Sequence, residues 1–208
     1  DIVREMFIAS THDDILFLTS KGRMFKLKGY EIPEGSRGAM GINIVNLLAL
    51  EPEEQINSLM RIEGFDPEKS VVMVTRRGII KRTSLNAYKN LRKSGLIAIQ
   101  LAEGDELVSS RLTDGGCQLL VATRNGMAIR FSETDVREMS RSAMGVKAIR
   151  LKAGDEVIGM SRVREGATVM TVTDKGLGRR TAVEDYPMQS RNGLGKLNYK
   201  VSEQRGHV

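Results

Sequence analysis

Apolar positions along this chain gather in runs of about five residues, and consecutive runs are separated by polar turns that carry a glycine. From Leu119 to Thr123 the chain is apolar with a β-branched residue at its centre. Arg124, Asn125 and Gly126 interrupt it, and a second apolar run follows from Met127 to Phe131. Runs of this length around a glycine turn predict β-strands, and the glycine supplies the positive φ at which a short hairpin closes with a bulge. A polar connector leads to a third run that starts at another glycine, Gly145 to Leu151. A turn at Gly154, Asp155 and Glu156 then opens a fourth run, Val157 to Val163. Helical periodicity is scarce: the longest candidate, near Ser132 to Met139, is too short to stand alone.

This pattern recurs. The stretch "TRNGMAIRF" has near-copies in "TSKGRMFKL", "TRRGIIKRT" and "TDKGLGRRT", which align on Gly22, Gly78, Gly126 and Gly176 at intervals of 56, 48 and 50. A second marker, the glycine that opens each third run, gives Gly41, Gly95, Gly145 and Gly195 at 54, 50 and 50. The Gly104, Asp105, Glu106 turn repeats the later one at the same pitch. Two independent markers with one period predict an all-β, propeller-like array of about four units, each a roughly 50-residue blade of four strands. The units fall at 11–63, 70–113, 117–164 and 167–201 of a single 1–208 domain. Placing Gly22 on Gly126 puts Asp1 on Asp105, so residues 1–10 are expected to hold the fourth strand, Val3 to Ser10, of a truncated preceding blade. Two outcomes are open. Either that strand completes the final blade and closes a four-bladed ring, or the chain is an excerpt of a longer array with exposed sheet edges.

Composition narrows the chemistry. No apolar run reaches the roughly 18 residues of a membrane span, and no signal-peptide pattern opens the chain, so a soluble, cytoplasmic protein without a membrane partner is expected. Cys117 is the only cysteine and His12 and His207 the only histidines, which leaves little from which to build a thiolate metal site or a His-based catalytic constellation. Cys117 reads as a small buried hydrophobe. The acid pairs Asp105 with Glu106 and Asp155 with Glu156 read as repeated turn residues, not as catalytic or metal carboxylates, and phosphate-loop and nucleophile-elbow patterns are absent. No metal, cofactor, small-molecule substrate or catalytic residue is expected.

Charge then points to a partner. The whole chain holds 32 Lys and Arg against 26 Asp and Glu, but residues 1–60 hold 6 against 9 and residues 61–208 hold 26 against 17. Such a regional basic excess suits a polyanion. Every connector before the second glycine carries an arginine: Arg37, Arg92 (followed by Lys93), Arg141 and Arg191. A second set flanks the hairpin turns, with Lys21, Arg23, Arg76, Arg77, Arg124 and Lys175 before or in the turn. Lys26, Lys28, Lys81, Arg82, Arg130, Arg179 and Arg180 lie on the strand after it, and Lys147 and Lys196 follow the later second glycines. A radial array sets such repeated charges along a curved rim, which suits phosphates spaced along a duplex. Aromatic residues are scarce and Trp is absent, so stacking on single strands is not favoured. The reading is duplex binding through the DNA backbone, with discrimination from how easily the DNA bends. A propeller used as a protein-docking scaffold is the alternative, favoured by the acidic first sixty residues.

Several long stretches also carry a family resemblance. "THDDILFLTSKGRMFKLKGYEIPEGSRGAMGINIVNLL", "GLIAIQLAEGDELVSSRLTDG", "TRNGMAIRFSETDVREMSRSAMGVKAI" and "GLGRRTAVEDYPMQSRNGLGK" closely resemble the C-terminal domain of the DNA gyrase A subunit, and more weakly that of the topoisomerase IV subunit. The resemblance implies a β-pinwheel, in which blades exchange strands, whose basic perimeter wraps duplex DNA. The wrap serves ATP-dependent negative supercoiling by a whole enzyme that includes the B subunit together with the rest of the A subunit. The resemblance implies a bacterial source and usually six blades, against about four units here, which favours the excerpt. The family's heptapeptide box (Gln, basic, Arg, Gly, Gly, basic, Gly) has its nearest counterpart at 189–195, which keeps Gln189, Arg191, Gly193 and Gly195 but lacks both flanking charges. The full box is therefore expected upstream. The catalytic tyrosine of the gyrase A polypeptide belongs to a region outside this chain, and none of Tyr30, Tyr88, Tyr186 or Tyr199 lies in a resembling context, so no DNA cleavage is expected.

Overall fold

The structure, a computed structural model, describes Val3 and residues 5–208. Its regular elements are strands and single turns of 3₁₀-helix. The first unit contributes β1 (Asp14–Thr19), β2 (Arg23–Lys28) and β3 (Ile56–Ile62). The second contributes β4 (Ser70–Thr75), β5 (Ile79–Ser84), β6 (Leu96–Ile97) and β7 (Leu107–Thr113), and the third β8 (Gln118–Thr123), β9 (Met127–Ser132), β10 (Val146–Lys147) and β11 (Val157–Val163). From the fourth come β12 (Thr168–Val172), β13 (Gly178–Ala182) and β14 (Lys196–Leu197).

Each hairpin closes as its sequence requires. Gly22, Gly78, Gly126 and Gly176 all have φ between 75° and 84°. Each donates its N–H to the threonine three residues before it, Thr19, Thr75, Thr123 or Thr173, at 2.9–3.1 Å. In the first three hairpins that threonine hydroxyl also accepts the N–H of the residue after the glycine, at 3.1–3.2 Å.

Three sheets have four antiparallel strands, ordered β3-β1-β2-β6, β10-β5-β4-β7 and β11-β8-β9-β14, and a fourth has only β12 and β13. The third run of a unit therefore does not join its own blade, as a simple four-strand reading of the unit would have it. It crosses to the outer edge of the preceding blade, as the resemblance to the pinwheel implied. The reason lies in the hairpin glycines: the carbonyl of Gly22 accepts from Ala98 N–H at 2.8 Å, that of Gly78 from Ala148 and that of Gly126 from Asn198 at the same distance. A Cβ on Gly22 would sit 2.8 Å from Ile99 O, so there the exchanged arm fits only over a glycine; at Gly78 the same carbonyl, of Ile149, is 3.2 Å away. These arms are strand for two residues each, much less than the run Gly145 to Leu151 predicts.

The core lies between blades. Along β4, Val71 and Met73 face the first blade, with Leu16, Leu18, Tyr88 and Ile99. Val72 and Val74 face the third, with Ile80, Leu119, Val121 and Phe131. Both faces of a middle blade are buried, which is why β4 is buried at every position.

At the two ends the pattern lacks partners. The strand expected over Val3 to Ser10 does not form in the described part of that segment: Val3 and residues 5–10 are in no strand, and Met6 and Ile8 are 90% and 91% exposed. Asp1, Ile2 and Arg4 lie outside the described residues. Among the described residues nothing pairs with the free edge of β12, so no strand closes a ring. The first unit's third run, from Gly41, likewise joins no sheet among the described residues. It folds back with a 3₁₀ turn at Ile44–Asn46, and Ile44, Leu47 and Leu48 cover Ile15, Phe17 and Phe25.

Candidate nucleic-acid interface

The strands β3, β7 and β11 pack against one another, β3 on β7 and β7 on β11, so they line the inside of the arc. The exchanged arms β6, β10 and β14 form the opposite edge of each sheet. Connectors that lead into those arms therefore run along the rim, and they carry the connector arginines.

Among the described residues Arg37, Arg92 and Arg141 are exposed and have neither an ion pair nor a side-chain hydrogen bond. Arg92 and Arg141 stand just before β6 and β10, at equivalent places on consecutive blades. Lys93, with a side chain 96% exposed, reaches Glu31 only at 3.9 Å. Lys147, Lys175, Arg179 and Arg180 are also exposed; Arg180 bonds Thr168 and Arg179 bonds Thr181 within their own hairpin. Lys196 is exposed and donates to Asp185 O at 2.6 Å. Two cations that sequence reasoning did not single out belong to the same surface. Arg137 lies in the connector of Arg141 and Arg150 just past β10, both exposed and without an ion pair among the described residues. The repeat could have flagged Arg137, since it shares a connector with Arg141.

The charges that flank the turns are largely neutralised. Arg23 pairs with Glu54 at 2.9 Å and Glu51 at 3.4 Å, and Lys21 with Glu51 at 3.1 Å. Arg76 pairs with Glu106, and Arg124 approaches Glu156 to 3.9 Å. The turn acids act on the backbone, as their repetition suggested: Asp105 Oδ1 accepts the N–H groups of Arg77 and Glu106 at 3.0 and 2.8 Å, and Asp155 Oδ1 those of Asn125 and Glu156 at 2.9 and 2.8 Å.

Four cations expected on the rim are turned toward the protein. Lys81 is a correction: it is wholly buried, its ammonium donating to Ala98 O at 2.7 Å and to Arg141 O, so it cannot meet a phosphate. Burial, with a smaller push from the Arg141 guanidinium, lowers its pKa to about 8. Arg82 and Arg130 are half-buried and donate to backbone carbonyls of the following unit. Arg191 is half-buried too, with Nε on Asp135 O at 3.0 Å and Nη1 on Lys147 O at 3.1 Å.

The box-like stretch at 189–195 is built as a clasp. Gln189 N–H donates to Arg130 O at 2.9 Å, Asn192 N–H to Ala148 O at 2.6 Å, and Gly193 O accepts from Arg150 N–H at 2.8 Å. It ties β9 to the arm of the third unit. Asn192 reaches this geometry at a φ of 64°, which asparagine tolerates better than most residues.

Cys117, Tyr88 and Tyr186 are held in unreactive settings. Burial, and next the Glu133 hydrogen bond, raise the Cys117 thiol to about 12, far from a thiolate at neutral pH. Tyr88 is buried and donates to Ala98 O at 3.0 Å, and Tyr186 is buried against Asn198.

The geometry defines a class: antiparallel β-blades joined by exchanged outer strands, with the exposed cations of the connectors on the rim. The family described as "DNA gyrase C-terminal domain, beta-propeller" matches residues 13–63, 69–114, 118–164 and 167–208. The chain belongs to that family. The DNA gyrase A subunit of Clostridium acetobutylicum is 55% identical over 147 residues, and that of Halalkalibacterium halodurans 51% over 147; each match takes in 71% of this chain and 18% of the relative. Among solved structures, the C-terminal domain of DNA topoisomerase IV superposes with a TM-score of 0.87 at 28% identity, covering 95% of this chain and 62% of that one. A DNA gyrase A C-terminal domain superposes with a TM-score of 0.81 at 24% identity, covering 96% and 65%, which speaks to the fold alone.

Proposed function

We propose that this chain binds duplex DNA through the phosphate backbone and bends it along the rim, as an accessory domain of a type II topoisomerase without chemistry of its own. The observation that carries this reading is the placement of Arg92 and Arg141: on the surface, without an ion pair among the described residues, and repeated on consecutive blades of one curved edge. Membership of a gyrase domain family supports it. In the whole enzyme, in the cytoplasm, its partners are the B subunit plus the remainder of the A subunit. There the bend presents a DNA segment for ATP-driven strand passage.

Backbone binding predicts a salt signature. Fluorescence anisotropy with the purified chain should show log K falling linearly with log salt. Neutralising Arg92 or Arg141 to Gln should lower that slope by about one each, equally for unrelated sequences. Loss of binding to one sequence alone would contradict the backbone reading.

A second reading has its own observation. Beside the first blade an apolar groove of about 580 Å³ is lined by Phe7, Ile32, Met40, Ile42 and Leu47 among others, and the hairpin cations there are paired with acids. That end suits a protein neighbour better than a phosphate track.

A further inference from the structure

Arg82 stands four residues past Gly78 and Arg130 four past Gly126. Each grips the following unit twice. Arg82 donates through Nε to Val136 O at 2.7 Å, and its own carbonyl accepts from Met139 N–H at 2.8 Å. Arg130 donates through Nη1 to Val183 O and Tyr186 O at 3.0 and 3.1 Å, and its carbonyl accepts from Gln189 N–H at 2.9 Å. The receiving positions correspond, since Val136 and Tyr186 each close the 3₁₀ turn of the next unit.

The same position elsewhere provides a contrast. Arg180, four past Gly176, among the described residues bonds only Thr168, in its own hairpin. In the first unit the position is Lys26, which lies 5.3 Å from the Phe65 ring. Apolar packing between blades is non-directional, so by itself it leaves the rotation of one blade on another soft. A planar guanidinium donates along fixed directions, and a grip at both its head and its backbone fixes that rotation.

We infer that Arg82 and Arg130 are positioning residues that set the angle between consecutive blades, and thereby the curvature along which the rim cations hold duplex DNA. The DNA half of this inference rests on the proposed function; the angle-setting half stands on the protein alone. A backbone-binding rim imposes its own curvature on the duplex, so a slack array binds DNA and bends it less.

The test uses the 208-residue chain carrying R82Q with R130Q, and separately R82K with R130K, which keeps the charges and removes the fork. Small-angle X-ray scattering of the free protein, DNA affinity across a salt series and end-to-end energy transfer on a bound duplex are read together. Both double variants should alter the scattering profile and reduce energy transfer, with the salt slope unchanged. R92Q with R141Q should do the reverse, lowering the slope by about two with the profile unchanged. R180Q should scatter like the parent, because the Arg180 side chain bonds within its own hairpin and grips no other unit among the described residues. Folded double variants that scatter and bend DNA like the parent would overturn the inference, and so would a reduced salt slope with unchanged shape, which would make both arginines ordinary phosphate contacts. If the parent fails to bind DNA while the double variants still change the scattering, the DNA reading falls and the angle-setting role stands.

Discussion

Lys81 occupies the register position that Phe25 and Ile129 fill in the neighbouring units, three residues past the hairpin glycine, and all three side chains are buried. A charge at a core position survives because two carbonyls, of Ala98 and Arg141, receive the ammonium. Aligning the repeats contains that sign; reading the basic pair Lys81 and Arg82 as one patch hides it. The burial has a thermodynamic consequence. Lys81 releases its proton near pH 8 when folded and near 10.5 when unfolded, so between those values the unfolded chain holds more protons and stability rises with pH. Urea denaturation at pH 7.5 and 10.5 should show a gain of about 3 kcal/mol in the parent relative to K81M over the same interval. An identical pH response in both proteins would contradict the assignment.

The hairpins were legible because a glycine at positive φ between two apolar runs has few other uses. Where each third run would pair was implied by the family resemblance but not written in the pattern of the residues. A strand of two residues carries no alternation from which to read a partner, and the choice is made by the glycine carbonyl of the preceding blade. The N-terminal segment departs from its pattern as well: that pattern matches an inner strand, yet the edge such a strand would take, that of β12, stays unpaired among the described residues. The glycines separate these effects. Gly22→Ala meets both an unfavourable φ and the Ile99 carbonyl, whereas Gly176→Ala at a φ of 76° has open space around it. The first should cost about 3 kcal/mol and the second about 1 in chemical denaturation. Equal costs would mean that the arm does not depend on close approach to the turn.

Across the whole array the charges divide by location. Those flanking the turns are mostly paired with acids, those on β5 and β9 face neighbouring units, and the connectors keep cations free on the rim. The sequence placed all three groups in one basic set, because pairing is decided by residues that meet only after folding, such as Arg76 with Glu106 or Arg82 with Val136. The connector arginines of the second and third units survived that sorting because the repeat tied them to the start of the exchanged arm. A double R92Q and R141Q variant should consequently weaken DNA binding at moderate salt by about tenfold or more while leaving thermal stability within about 0.5 kcal/mol of the parent, since both side chains are on the surface and unpaired among the described residues. The measurement that bears most directly on the account is end-to-end energy transfer on labelled duplexes of increasing length, bound to the purified chain at low salt and then titrated with salt. Rim binding predicts that the ends draw together once the duplex spans two blades, and that bend and binding are lost together as salt rises. Tight binding with ends as far apart as in free DNA, or no binding at low salt, would contradict it.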